Sequence, residues 1–79
     1  MLVELTEYLV KSLVKDPDSV SVKEISDDEF VTIEVLVSND EIGAVIGRNG
    51  TIANSIRTLV QAASYNTDHK KVRINIDSF

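Results

Sequence analysis

The sequence has no cysteine. That removes disulfides, thiolate metal ligands and cysteine nucleophiles, and it fits a reducing compartment. One histidine, His69, cannot build a multi-histidine metal site. Tryptophan is absent and aromatic residues make up 5% of the chain, too few for a broad stacking platform. No uninterrupted apolar run approaches the roughly 20 residues that a membrane span needs. The N-terminal stretch MLVELTEYLVKSLVK is broken by Glu4, Glu7, Lys11 and Lys15 and lacks a preceding basic segment, so it does not read as a targeting signal. A cytoplasmic protein without membrane contact is the expectation.

What is present suits a small folded domain. The chain has 79 residues, 43% hydrophobic and 27% charged, which predicts one domain over residues 1–79 and argues against disorder. A domain of this size buries a modest share of its surface, so it depends on good packing or on a partner. The net charge of −5 argues against nucleic acid when taken alone, but it hides an asymmetry. Residues 1–42 carry three lysines against eleven acids, a balance of −8. Residues 43–79 carry Arg48, Arg57, Lys70, Lys71 and Arg73 against Asp68 and Asp77, a balance of +3. A basic face can draw phosphate even on an acidic protein, because screening confines the field to about 8–10 Å.

Periodicity gives the element order. Leu2, Leu5, Leu9 and Leu13, with Val10 and Val14, mark an amphipathic helix of about 13 residues that Asp16-Pro17-Asp18 ends. Glu7 and Lys11 form a favourable pair one turn apart on it. Ser19 to Ile25 reads as a short edge or near-edge strand, and Ser26-Asp27-Asp28-Glu29 as a polar hairpin turn. Phe30 to Val37 is the strongest strand, with Val31, Ile33, Val35 and Val37 on one face. Ser38 and Glu41 have capping-box spacing, which predicts a helix from Asn39 to Ile46 stopped by Gly47. A longer helix begins at Thr51, with Ile52, Ile56, Leu59, Val60 and Ala63 as its apolar stripe, and Tyr65 to His69 reads as a loop. Lys71 to Asp77 alternates as a last strand, parallel to the middle one after a helical crossover. The order α-β-β-α-α-β predicts an α+β domain, a three-stranded mixed sheet with helices packed on one face.

Chemistry concentrates in Ile42-Gly43-Ala44-Val45-Ile46-Gly47-Arg48-Asn49-Gly50. Glycine admits positive φ and close approach of a ligand backbone, and the following helix offers free N–H groups at its positive end. Arg48 adds a planar fork for phosphate and Asn49 adds neutral donors. A bare G-x-x-G is also what a tight turn between two helices needs. The stretch lacks the G-x-x-x-x-G-K-[ST] pattern and does not follow a strand, so it is no nucleotide-enzyme cradle.

With its flanking elements, Val45-Ile46-Gly47-Arg48-Asn49-Gly50 resembles the signature of a KH domain, which clamps about four nucleotides of single-stranded RNA with a G-x-x-G loop. The order matches the type II arrangement. The whole chain is similar to the bacterial stand-alone KH-domain proteins of the KhpA family. That likeness rests on Lys15-Asp16-Pro17-Asp18, Val45 to Arg48, Ser55-Ile56-Arg57-Thr58-Leu59-Val60 and Lys70-Lys71-Val72-Arg73-Ile74. The resemblance implies a cytoplasmic RNA-binding protein, an RNA chaperone in post-transcriptional control linked to cell wall and cell shape. It would work as a homodimer or with a larger, KhpB-like KH-domain partner. Two positions depart from the pattern: Ala53 stands where KH domains often have isoleucine, and neutral Asn49 where many relatives have a second basic residue.

The implied RNA contacts are Gly47, Arg48, Asn49 and Gly50, with Ile46, Gly43 and Thr51 beside them and Arg57, Lys71 and Arg73 as further groups. Ile42, Ile46 and Ile52 are candidates for groove or for core. Gly43 costs a helix about 1 kcal/mol relative to alanine, so close approach by RNA or by a packed helix must justify it. Arg73 alternatively pairs across strands with Glu34, worth up to about 1 kcal/mol. Leu59, Tyr65 and Phe79 are candidates for a protein interface, and a protein-interaction module with weak RNA affinity is the competing class. An enzyme is rejected, since no catalytic, metal or cofactor constellation is legible and no small-molecule substrate is implied. Asp27, Asp28 and Glu29 read as a solvated turn.

Overall fold

The computed structural model describes residues 2–67 and 71–79, so His69 and Lys70 lie outside the described residues. The elements are α1 (Leu2–Lys11), a 3-10 turn (Pro17–Ser19), β1 (Ser21–Ser26), β2 (Phe30–Val37), α2 (Ile42–Ile46), a 3-10 turn (Arg48–Gly50), α3 (Thr51–Thr67) and β3 (Lys71–Ser78). The sheet runs β1-β2-β3. β1 pairs antiparallel with β2, and β3 pairs parallel with β2. The chain is thus an α+β domain with the α-β-β-α-α-β order of a KH fold.

The β-branched face of β2 makes the core. Val31, Ile33, Val35 and Val37 are buried and share one cluster with Leu2 and Val10 of α1, Val45 of α2, Ile56 and Val60 of α3 and Ile74 of β3. All three helices therefore cover the same sheet face. The acidic hairpin turn is held by the Asp27 carboxylate, whose Oδ1 accepts from the Glu29 and Phe30 amides at 2.8 and 2.7 Å. Glu7 and Lys11 do pair, at 3.1 Å. No helix among the described residues is long and apolar enough to cross a membrane.

Four expectations need correction, each for a local reason. First, α1 ends at Lys11, before the Asp-Pro step, and Leu13 is exposed. The Leu13 amide already turns back to the Val10 carbonyl in a tighter bond, and the Lys15 and Asp16 amides donate to the Glu41 carboxylate at 2.5 and 3.3 Å. Second, that same contact removes the capping box. With Glu41 committed to the α1–β1 connection, α2 shrinks to five residues that start at Ile42. Third, α3 runs through Thr67, so Tyr65 is helical, and its inner face is centred on Ala53, Ile56, Val60 and Ser64. Leu59 sits about a quarter turn from that centre and is 53% exposed. Fourth, the register sets Arg73 opposite Thr32, while Glu34 faces Lys23 and Asn75. The Arg73 guanidinium lies 4.0 Å over the Phe30 ring, a cation–π contact in place of the ion pair.

Candidate nucleic-acid interface

The junction between α2 and α3 is built around Gly47. Its φ of 76° and ψ of 176° are open to glycine alone, and its amide closes α2 on the Gly43 carbonyl at 2.9 Å. A Cβ there would lie 2.6 Å from Cγ1 of Ile52, so the first turn of α3 packs directly on the bare Cα. Arg48 and Asn49 are then thrown outward, both exposed. Asn49 adopts the left-handed conformation, φ 57° and ψ 25°, which asparagine tolerates better than most residues. The Gly50 amide returns to the Gly47 carbonyl at 3.3 Å. The Thr51 hydroxyl donates to the Arg48 carbonyl, so it fastens the turn and does not face outward as a donor. The result is a short turn at the head of a 17-residue helix, carrying an exposed guanidinium and an exposed carboxamide.

Gly43 resolves one alternative. A Cβ at this exposed helical position would meet nothing within 4 Å. Packing against another helix therefore does not require glycine. We expect Gly43→Ala to stabilise the fold by about 1 kcal/mol, read as a higher thermal midpoint, while weakening any ligand that passes over α2. Unchanged or tighter ligand binding by this variant would remove Gly43 from the interface.

A groove of about 840 Å³ runs from α3 to the free edge of β3, lined by Arg57, Thr58, Gln61, Tyr65, Val72 and Ile74 among others. Two side chains one turn apart on α3 span it. The Gln61 Oε1 accepts from the Val72 amide at 3.0 Å, and Arg57 Nε donates to the Ile74 carbonyl at 3.4 Å. Arg57 is held from the other side by Asn54, whose Oδ1 accepts from Nη1 at 3.0 Å. Arg57 therefore stands in the groove wall, two turns from the loop.

Gly43, Ile46, Gly47, Arg48, Asn49, Gly50 and Thr51 follow one another through α2, the turn and the start of α3, with Gly43, Arg48, Asn49 and Thr51 exposed and Ile46, Gly47 and Gly50 half-buried. Ile42, Ile46 and Ile52 are half-buried, between groove and core. Lys71 and Arg73 lie apart from that stretch, and Arg73 is among the residues that line the groove. By register their side chains alternate with Val72 and Ile74 and lie on the sheet face that no helix covers, with Arg73 occupied by Phe30. Sequence reading missed Gln61 and Asn54. The signal was a polar i, i+3, i+7 series, Asn54, Arg57 and Gln61, on the helix that precedes the last strand. No group of three metal-ligating side chains occurs among the described residues.

Comparison with known proteins agrees with this architecture. The family described as KhpA/KhpB, KH domain, matches residues 3–76. The chain is 44% identical over 73 residues to the RNA-binding protein KhpA of Clostridium perfringens, covering 92% of this chain and 96% of that one. It is 41% identical over 73 residues to the protein of the same name from Listeria monocytogenes, with 92% and 95% covered. Among solved structures, Aquifex aeolicus Era superposes with a TM-score of 0.78 at 13% identity over 99% of this chain. The chain spans 30% of the Era chain, and at that identity the likeness is one of fold.

Proposed function

The chain belongs to the KhpA/KhpB KH-domain family, and from that premise we propose that it grips the backbone of single-stranded RNA with the Gly47–Gly50 turn. The observation that carries the reading is the pairing of this turn with the bare helix surface at Gly43. Together they offer the head of α3, the Arg48 fork and, at Gly43 and Gly50, open space where a Cβ would otherwise meet a sugar-phosphate chain. Bases would then enter the groove along α3, where one wall is apolar and the edge of β3 supplies hydrogen-bonding groups. Relatives are named RNA-binding proteins. We extend that to a cytoplasmic RNA chaperone in post-transcriptional control of cell wall and cell shape.

Affinity should be modest and steeply salt-dependent. With about three phosphate contacts, the logarithmic slope for a single strand is about −2, so a fourfold rise in salt weakens binding roughly sixteenfold. Fluorescence anisotropy with a short labelled RNA, titrated at several salt concentrations, measures this. A slope near zero would remove phosphate from the contact. The second reading, an interaction module paired with itself or with a KhpB-like chain, is favoured by Leu59 and Tyr65, which are 53% and 64% exposed on α3. It is the better account if the native chain shows no RNA binding even at low salt.

A further inference from the structure

Asn49 directly precedes Gly50 on the most exposed part of the loop. We propose that Asn49 is a site of spontaneous deamidation, and that the reaction switches off the RNA grip of the chains on which it has occurred. The second half rests on the function proposed above. In the reaction, base takes the proton of the Gly50 amide and its nitrogen attacks Cγ of Asn49. The new C–N bond closes a five-membered imide while the Cγ–Nδ2 bond breaks and ammonia leaves. Water then opens the imide to aspartate or, through the other carbonyl, to isoaspartate. One water is consumed and one ammonia released, with no oxidant, reductant or cofactor.

Several features of the loop favour this step. Glycine puts no Cβ beside the attacking nitrogen. The Asn49 carboxamide is exposed, and among the described residues no side-chain hydrogen bond restrains it. The backbone bond that attack must break, from the Gly50 amide to the Gly47 carbonyl, is 3.3 Å, at the long end for an N–H donor. Closing the ring also requires ψ of Asn49 to rotate away from 25°, and a single 3-10 turn between two glycines resists that less than a helix or strand would. The other four asparagines are internal comparisons. Asn54 and Asn66 sit in α3 and Asn75 in β3. The Oδ1 of Asn39 accepts from the Ser78 hydroxyl. None of these four precedes glycine. The product places a carboxylate next to Arg48 where the RNA phosphates are proposed to lie, and the iso form adds a methylene to the backbone of the turn.

The test incubates the full chain at physiological temperature at mildly acidic and mildly alkaline pH. Peptide mass mapping then follows each asparagine, and anisotropy with a labelled single-stranded RNA follows binding. The expected result is conversion at Asn49 ahead of the other four, faster at the higher pH. Modified chains should bind at least about tenfold more weakly, as like charge beside phosphate demands, and fresh Asn49→Asp, which reproduces the aspartate product, should also bind at least about tenfold more weakly. The Asn49→Gln chain, whatever its starting affinity, should show no decline with time. An intact Asn49 when another asparagine has converted, or after incubation long enough to convert an unstructured Asn-Gly peptide fully, would overturn the modification. If Asn49 converts but both the aged chain and Asn49→Asp bind RNA as the fresh native chain does, the switch fails with the RNA reading. If Asn49→Asp loses binding while Asn49 never converts, the RNA reading stands and this inference falls.

Discussion

Gly47→Ala is expected to lower the stability of this domain by about 2–6 kcal/mol. Two independent costs add. The backbone at φ 76° and ψ 176° lies where only glycine is relaxed, which costs about 1–3 kcal/mol for a residue with a Cβ. The new methyl would also stand 2.6 Å from Cγ1 and 2.9 Å from Cβ of Ile52. Overpacking of that kind costs about 1–3 kcal/mol more, since Ile52 is held against the core by the rest of α3. A 79-residue domain has about 4–12 kcal/mol in total, so the variant approaches the limit of folding. Thermal denaturation followed by circular dichroism should show the midpoint fall by about 10 °C or more. Gly50→Ala is the control. It shares the φ of 76°, but its Cβ would meet only Nδ2 of Asn54, at 3.9 Å. Its loss should be clearly smaller. Equal losses for the two variants would show that contact with Ile52 plays no part.

The second large effect is on binding. Arg48→Asp combined with Asn49→Asp replaces one positive and one neutral side chain by two negative ones at the proposed phosphate contact. Neither side chain carries structure. Both are exposed, and aspartate tolerates the left-handed conformation of position 49 nearly as well as asparagine. Circular dichroism and the thermal midpoint should therefore stay close to those of the native chain. RNA affinity should fall about a hundredfold or more, since a lost guanidinium contact and two added repulsions together exceed about 2.7 kcal/mol. Binding equal to that of the native chain would move the RNA to another face, and the groove between α3 and β3 would have to be reached without the loop.

Much of this molecule was legible before its coordinates. β2 was readable to the residue because four β-branched side chains alternate with half-buried ones, and no other period fits them. The loop was readable because glycines at 47 and 50 bracket an arginine and an asparagine ahead of a helical stripe. The misreadings share one physical origin, which is competition from residues distant in sequence. Glu41 has the spacing of a helix cap, yet its carboxylate serves amides at positions 15 and 16. Leu59 has the spacing of a core residue, yet the centre of α3 falls on Ala53 and Ser64, whose small side chains let the helix settle inward. Arg73 has an acid within plausible reach, yet strand register offers it the ring of Phe30. Spacing along the chain names candidates, and register decides among them.

The parallel pairing of β2 with β3 has a bearing on how the site comes into being. Phe30 meets Lys71 and Val37 meets Ser78, so everything from Ser38 to Lys70 is one closed excursion between two neighbouring strands. Closing it carries the entropy cost of a long loop, and contacts of such separation form slowly. Gly43, the turn at 47–50 and the groove wall all lie within that excursion. A short peptide with the sequence of residues 42–52 would possess the residues without the surface, since Ile52 is positioned by α3 and α3 by the sheet. The surface proposed to face RNA is therefore a global product of folding, complete only when β3 pairs with β2.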